Sequence, residues 1–249
     1  MAYEFIYGIQ PVLQVLVEKR RRPLKLLLHR SQKTPDLKRL LHLARQDGVL
    51  IEEVDKHRLS QTAKTTQHQG VALQTQEYGY KAFDHLISLL KQKTQGIVLV
   101  LDQIQDPQNL GAILRTAHCA GVDGVILPEK GSALVNPTVL KASAGAAEAV
   151  SVTLVSNLAG ALGELKKIGF WVVGTEAGAS KTFWDVDFRG RVALILGNEG
   201  VGVRNLIKKR CDFLISLPLL GTIPALNVSV TAGILLYEVL RQRKNLKTP

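Results

Sequence analysis

From residue 96 onward, short apolar runs alternate with segments of helical periodicity, and this alternation most constrains the fold. The runs are rich in β-branched residues and read as strands: Ile97–Leu101, Gly124–Leu127, Val152–Val155, Trp171–Gly174, Val192–Leu196 and Phe213–Leu217. The intervening segments read as helices: Leu110–Ala120, Pro137–Lys141, Leu158–Lys167, Val203–Lys209 and Asn227–Arg243. Continuous apolar strands are typical of sheets that helices cover on both faces. We therefore predict an α/β domain over residues 95–249, built on a mostly parallel sheet.

The first 76 residues predict a second, smaller α/β domain, and residues 77–94 predict a linker with one helix. Pro11 lies in the first turn of a predicted helix, where a missing N–H is tolerated. Thr34 and Asp55 each stand where they can cap a following helix. Leu24–Leu28 is a short apolar run suited to a buried strand.

The charge balance points to a polyanionic partner. Lysine and arginine total 32 against 21 acidic residues, a net charge of +11 that both parts of the chain share. Such an excess is typical of nucleic-acid binders, although basic charge also serves solubility alone.

Composition also limits the compartment and the kind of site. With two cysteines, Cys119 and Cys211, we expect neither a disulfide framework nor a zinc site, and we predict no metal. No apolar run approaches the length of a membrane span. The opening residues lack the pattern of a signal peptide, so we expect a cytoplasmic protein without membrane attachment.

A polar loop, residues 102–111, follows the first strand of the larger domain and opens a helix. Ligands of open α/β sheets bind at the carboxyl ends of strands, and helix N-termini favour anions. Asn109 and, six residues later, Arg115 can face one ligand from here. The alternative is structural: Asp106 or Asn109 caps the helix and Arg115 is a solvated charge.

A second segment, Gly197-Asn198-Glu199-Gly200-Val201-Gly202, ends a buried strand in a turn with three glycines and one carboxylate. Glycine permits close approach of the backbone to a ligand. The glycine order and the late position both argue against a dinucleotide fingerprint. A tight turn without a ligand is the alternative interpretation.

A third segment, residues 215–230, joins the last strand to the last helix through two prolines and a glycine, which force an irregular path. Asn227 or Ser229 can cap the helix that follows. Taken alone, this segment predicts only an ordered loop.

Together, three segments closely resemble, in order and spacing, the three motifs of the SpoU (TrmH) family of RNA ribose 2′-O-methyltransferases. They are Asp106-Pro107-x-Asn109-x-Gly111-x-x-x-Arg115-Thr116-Ala117, Leu196-Gly197-Asn198-Glu199-Gly200 and Leu226-Asn227-Val228-Ser229-Val230. The resemblance covers about residues 95–245. The segment Ser143-Ala144-Gly145-Ala146 is similar to the branch that methylates a guanosine of 23S ribosomal RNA.

The resemblance implies an α/β sheet with a C-terminal trefoil knot, a cofactor, S-adenosylmethionine, bound by the second and third motif loops, and a homodimer. It implies that residues 1–76 are an RNA-binding domain similar to ribosomal protein L30e. By position, the implied cofactor contacts are Thr175, Gly197, Leu217 and Leu226. The implied catalytic group consists of Arg115, Asn109, Glu199 and Asn227.

One position departs from the family pattern. The family usually has serine directly before the Leu-Asn of its third motif, where this chain has Ala225. Either Ser229 or water substitutes for that hydroxyl, or the activity is altered. Two other functions therefore stay open: the same methylation on transfer RNA, and a non-enzymatic RNA-binding protein that kept the fold.

Overall fold

The structure, a computed structural model, describes residues 2–29 and 34–243. In chain order the strands are β1 (Tyr3–Tyr7), β2 (Pro23–Leu28), β3 (Leu50–Glu53), β4 (Val71–Gln76), β5 (Gly96–Asp102), β6 (Gly124–Pro128), β7 (Val152–Val155), β8 (Trp171–Thr175), β9 (Lys181–Thr182), β10 (Arg191–Gly197) and β11 (Phe213–Ser216). The α-helices are α1 (Ile9–Glu18), α2 (Pro35–Gln46), α3 (Lys56–Ala63), α4 (Phe83–Lys91), α5 (Pro107–Cys119), α6 (Pro137–Ala142), α7 (Ala146–Ala149), α8 (Leu158–Lys167), α9 (Asn205–Lys208) and α10 (Val228–Gln242).

Contacts divide the chain into two units. The N-terminal unit comprises Met1–Gly79 and Leu134–Ala149, and the C-terminal unit comprises Tyr80–Ala133 and Val150–Pro249. The predicted limits (1–76, 77–94 and 95–249) assign residues 134–149 to the larger domain instead. The difference arises because α6 and α7 pack on elements of the N-terminal unit that are distant in sequence.

The N-terminal unit has a four-stranded sheet in the order β1-β4-β2-β3. β4 pairs antiparallel with β1 and β2, and β2 pairs parallel with β3. Both predicted caps are confirmed: Thr34 Oγ1 accepts a hydrogen bond from Leu37 N at 3.2 Å, and Asp55 Oδ1 accepts one from Arg58 N at 2.8 Å. The sequence pattern does not predict β1, which becomes a strand through its distant partner β4.

A buried ion pair ties residues 134–149 to this unit. The guanidinium of Arg21 donates to Glu4 and to Glu148, and the side chains of Arg21 and Glu148 are 3% and 1% exposed. Tyr78 Oη donates to Ala147 O at 2.9 Å beside them. Burial raises the pKa of Glu148 above its ordinary value, although Arg21 opposes the shift.

The C-terminal unit has a seven-stranded sheet in the order β7-β6-β5-β10-β8-β11-β9, in which every neighbouring pair is parallel. The predicted mostly parallel sheet is confirmed. One face carries Val98, Val100 and Ile195, which pack among residues of α4 and α8. The trefoil knot stays a prediction.

Strands β5 and β10 occupy the middle of this sheet and run in register from Arg191–Gly96 to Gly197–Asp102. Their carboxyl ends are therefore adjacent, and these are the ends that carry the first and second sequence motifs. In the described part of the chain, no helix is long and apolar enough to cross a membrane.

Candidate active site

Three predicted catalytic residues form one hydrogen-bonded network. Asn109 Nδ2 donates to Glu199 Oε1 at 2.7 Å. Asn227 Nδ2 donates to Glu199 Oε1 and to Asn109 Oδ1, each at 2.9 Å. Each of the three sequence motifs contributes one member, so the fold brings segments more than 100 residues apart to a single point.

Helix caps hold two members of this network in place. Asp106 accepts hydrogen bonds from Gln108 N at 3.1 Å and Asn109 N at 3.2 Å, and so caps α5 as one interpretation of the motif predicted. Asn227 caps α10, since its Oδ1 accepts a hydrogen bond from Ser229 N at 2.9 Å. Glu199 thus lies where two helices begin, and the positive ends of their dipoles stabilise its negative charge.

The carboxylate of Glu199 retains a free oxygen. Both bonds from the network go to Oε1, and no described residue donates to Oε2. The side chain is exposed, so a ligand can reach this oxygen.

Arg115 stands apart from the network. It lies on α5, its side chain is exposed, and within residues 2–29 and 34–243 it makes no hydrogen bond or ion pair. The hydrogen bonds of Glu199 join the two asparagines and do not reach Arg115. Arg115 remains available to an external anion.

A cavity of about 390 Å³ opens beside the network. Its lining includes all four residues predicted to contact the cofactor: Thr175, Gly197, Leu217 and Leu226. Glu199 also lines it. The volume is in the range of roughly 300–1,000 Å³ typical of small-molecule sites.

The chemistry of this lining suits S-adenosylmethionine. Leu217 and Leu226 offer apolar surface for a flat base, and the carboxylate of Glu199 offers negative charge for a cation. The ion pair between Lys208 Nζ and Glu176 Oε1, at 2.7 Å, lies on the same lining and was not predicted from sequence.

Glycine at position 197 is a packing requirement. A Cβ built there would lie 2.1 Å from the carbonyl carbon of Gly202. The turn folds back on the end of β10 at this distance, and only the absent side chain permits it.

A second cavity, of about 290 Å³, adjoins the first. Its lining includes Asn109 and Asp106 together with four residues that also line the larger cavity: Asn198, Glu199, Gly200 and Val228. Glu199 therefore stands between two spaces that can hold two different molecules.

Ala225 does not interrupt the network. It lies in an exposed stretch before α10 and contributes to the lining of the larger cavity. Ser229, a predicted substitute for the missing hydroxyl, donates from Oγ to Asn227 Oδ1 at 2.5 Å. Ser229 thus supports the third motif from inside the helix.

The residues that join the first and second motifs were not predicted from the sequence. Asn198 Nδ2 donates to Gln103 O at 3.0 Å, and the fully buried Asp102 pairs with Arg204. A carboxylate that ends a buried apolar strand was the available signal for Asp102. Within the described ranges, no group of three or more histidine, cysteine, aspartate or glutamate side chains could hold a metal ion.

Comparison with known proteins matches residues 96–237 to the SpoU rRNA Methylase family and residues 5–81 to an RNA 2′-O ribose methyltransferase substrate-binding domain. The chain belongs to the SpoU rRNA methylase family. It is 39% identical over 242 residues to YacO of Bacillus subtilis, a protein assigned to the TrmH family of tRNA/rRNA methyltransferases; the match covers 97% of this chain and 96% of YacO.

Solved SpoU structures have the same fold. The methyltransferase AviRb of Streptomyces viridochromogenes, in complex with AdoMet, superposes with a TM-score of 0.80 at 22% identity, over 97% of this chain and 90% of AviRb. The TrmH/SpoU tRNA-modifying enzyme of A. aeolicus superposes with a TM-score of 0.56 at 31% identity, over 65% of this chain and 82% of that enzyme.

The SpoU family consists of S-adenosylmethionine-dependent RNA 2′-O-ribose methyltransferases, which confirms the predicted enzyme class, cofactor and RNA substrate. The predicted α/β fold is confirmed as well. The roles of the individual site residues stay predictions.

Proposed function

We propose that this SpoU methylase methylates the ribose 2′-oxygen of a guanosine in 23S ribosomal RNA. The observation that supports methyl transfer is the position of Glu199, which lines both adjoining cavities and accepts hydrogen bonds from Asn109 and Asn227. The choice of a 23S guanosine follows from the resemblance of Ser143-Ala144-Gly145-Ala146 to the branch that methylates it. Methyl transfer requires a donor and an acceptor side by side, and this arrangement offers one space for each.

The larger cavity is the proposed cofactor site, held by Thr175, Gly197, Leu217 and Leu226. When bound there, S-adenosylmethionine supplies an electrophilic methyl group on a sulfonium. The leucines exclude water from the base, and the glycine turn lets the backbone approach closely.

The smaller cavity is the proposed site of the acceptor ribose. Glu199 Oε2 accepts the hydrogen bond of the 2′-hydroxyl, orients its oxygen for in-line attack and takes up its proton when the oxygen is methylated. Asn109 and Asn227 hold the carboxylate still by donating to its other oxygen. The network therefore reduces the cost of aligning the reacting oxygen.

Arg115 is the proposed phosphate-binding residue, which contacts the RNA phosphate next to the acceptor ribose. A guanidinium stays protonated at all working pH values, which argues against its use as a base. Its exposed fork can instead bind a phosphate with two parallel hydrogen bonds and stabilise the charge that develops on the 2′-oxygen.

Residues 1–76 are the proposed RNA-selecting domain. Their support is the match to a substrate-binding domain over residues 5–81 and the net charge of +11 in the whole chain. We also propose that the active protein is a homodimer, in line with the exposed apolar residues Val201, Leu220 and Ile223 near the site.

Transfer RNA is the second candidate substrate. It is favoured by the 31% identity to the tRNA-modifying enzyme of A. aeolicus. That alignment covers 65% of this chain, however, so a third of the chain has no counterpart in it.

The test compares methyl transfer to purified 23S ribosomal RNA and to transfer RNA from cells that lack the protein, with Glu199→Gln as the inactive control. Methylation of 23S RNA at a guanosine ribose, mapped by mass spectrometry, supports the proposal. Methylation of transfer RNA alone would mean that transfer RNA is the substrate and 23S ribosomal RNA is not. RNA binding without S-adenosylmethionine binding, measured by calorimetry, would favour the non-enzymatic function.

A further inference from the structure

The carboxyl end of β5 carries a fully buried carboxylate with an arginine partner. Asp102 is 0% exposed, and its Oδ1 accepts a hydrogen bond from Arg204 Nε at 2.8 Å and forms an ion pair with Nη2 at 2.7 Å. Asp102 Oδ2 accepts a second hydrogen bond, from Arg204 N at 2.9 Å. The guanidinium therefore holds one carboxylate oxygen and the backbone N–H holds the other, which fixes orientation as well as distance.

The two residues stand where the two motif segments leave the sheet. Asp102 directly precedes the loop that leads to Asn109, and Arg204 follows the glycine turn that carries Glu199. A neighbouring bond from Asn198 Nδ2 to Gln103 O, at 3.0 Å, joins the same two segments.

We infer that Asp102 and Arg204 are positioning residues for methyl transfer. Their pair sets the spacing between the loop of Asn109 and the turn of Glu199, and through it the alignment of the carboxylate with both cavities. The inference rests on the proposed role of Glu199. Neither residue touches the substrates; both act through the network.

The amino end of the same strand offers a matched control. There Asp123 Oδ2 accepts a hydrogen bond from Ile97 N at 2.8 Å, while its other oxygen pairs with Lys93. This pair also ties a loop to β5 through one carboxylate, but at the end of the strand opposite Asp102. Lys93→Ala therefore removes an ion pair that stabilises β5 without lying at the site, and its kcat shows the effect of such a loss of stability.

The experiment compares Arg204→Lys, Lys93→Ala and the unaltered protein in steady-state methylation of 23S RNA. Lysine keeps a positive partner for the buried Asp102, so the fold survives, but it cannot reproduce the fork. We expect kcat of Arg204→Lys to fall by about 10- to 100-fold. A fall of about 100-fold is the effect of misplacing the reacting groups by about 1 Å. KM for both substrates stays within about threefold, because binding surfaces are retained.

Lys93→Ala should leave kcat within about twofold of the unaltered value. The inference is overturned if kcat of Arg204→Lys stays within about twofold of the unaltered value, or if only its KM changes. It is also overturned if kcat of Lys93→Ala falls as much as kcat of Arg204→Lys. Glu199→Gln separates the two proposals. Full activity of Glu199→Gln overturns the catalytic network itself, whereas an inactive Glu199→Gln beside a fully active Arg204→Lys overturns only the positioning role.

Discussion

Asn109 Nδ2 and Glu199 Oε1 lie 2.7 Å apart, although 90 positions separate the two residues along the chain. Asn227 closes the contact by donating to both side chains at 2.9 Å. The amide groups satisfy one carboxylate oxygen, and no described residue donates to the other.

Glu199→Gln should abolish most turnover while preserving the fold. The glutamine amide adds donors where the two asparagines already donate, and it removes the charge that is proposed to orient the 2′-hydroxyl. We expect kcat to fall by at least about 10²-fold, comparable to loss of an oxyanion-hole donor. The rate of methyl incorporation into RNA measures this kcat. Glu164→Gln, at an exposed residue paired with Lys167, is the matched control; an active Glu199→Gln would contradict the assignment.

Arg115→Ala should separate catalysis from stability. The side chain is exposed and has no partner among described residues, so the free energy of unfolding should change by less than about 0.5 kcal/mol. We expect kcat to fall at least about 10²-fold. If Arg115 contacts a phosphate, the slope of log affinity against log salt drops by about one. Arg189→Ala, at an arginine paired with Asp187, is the control. A salt slope in Arg115→Ala equal to that of the unaltered protein would refute the phosphate contact.

Gly197→Ala should disrupt the cofactor cavity. The added Cβ would meet the backbone of Gly202 at 2.1 Å, so the turn must move. We expect S-adenosylmethionine binding to weaken by about 5- to 150-fold, because overpacking of this kind costs about 1–3 kcal/mol. Calorimetry measures the affinity. Gly163→Ala, in α8 with nothing within 4 Å of its added Cβ, should bind normally; equal affinities for both variants would exclude the turn from the site.

Arg21→Met should destabilise the N-terminal unit. The replacement leaves Glu148 buried without its positive partner, which costs about 3–5 kcal/mol of unfolding free energy. Adding Glu148→Leu should recover much of the loss, since apolar replacement of both partners is often neutral. Urea denaturation gives both values. A double variant as unstable as the single one would mean that Arg21 acts mainly through Glu4.

His68 should make stability depend on pH. Its Nδ1 accepts a hydrogen bond from Gly70 N at 3.0 Å, and burial lowers its pKa below the ordinary 6.5. The unfolded chain therefore binds a proton near pH 6.5 that the folded chain binds only at lower pH. The free energy of unfolding consequently falls as pH drops from about 6.5 to the folded pKa.

His68→Asn keeps an acceptor for Gly70 N and removes the titration. Denaturation at pH 7.5 and at pH values below about 6.5 should show a smaller pH effect in His68→Asn. His42→Asn, at an exposed position, should keep the original dependence. Identical pH profiles for His68→Asn and the unaltered protein would assign the effect elsewhere.

Local patterns predicted most of the regular structure. The apolar runs of β5 and β10 and the cap at Thr34 depend on neighbouring residues alone, and the structure has each of them. β1 and β9 were not predicted, because each is a strand only through hydrogen bonds to a distant partner. The grouping of residues 134–149 escaped prediction for the same reason: the Arg21–Glu148 pair spans 127 positions.

The sequence by itself determined the order of the strands along the chain, the helix caps, and the residue types of the three motifs, since these depend on periodicity and short-range chemistry. Only the tertiary structure decided which of those residues meet. Parallel register between β5 and β10 sets Asp102 beside Gly197, so the loop of Asn109 and the turn of Glu199 leave the sheet side by side. Asn227 reaches both from the start of α10. Arg115 makes no bond to this network within the described residues, as its alternative interpretation as a solvated charge allowed.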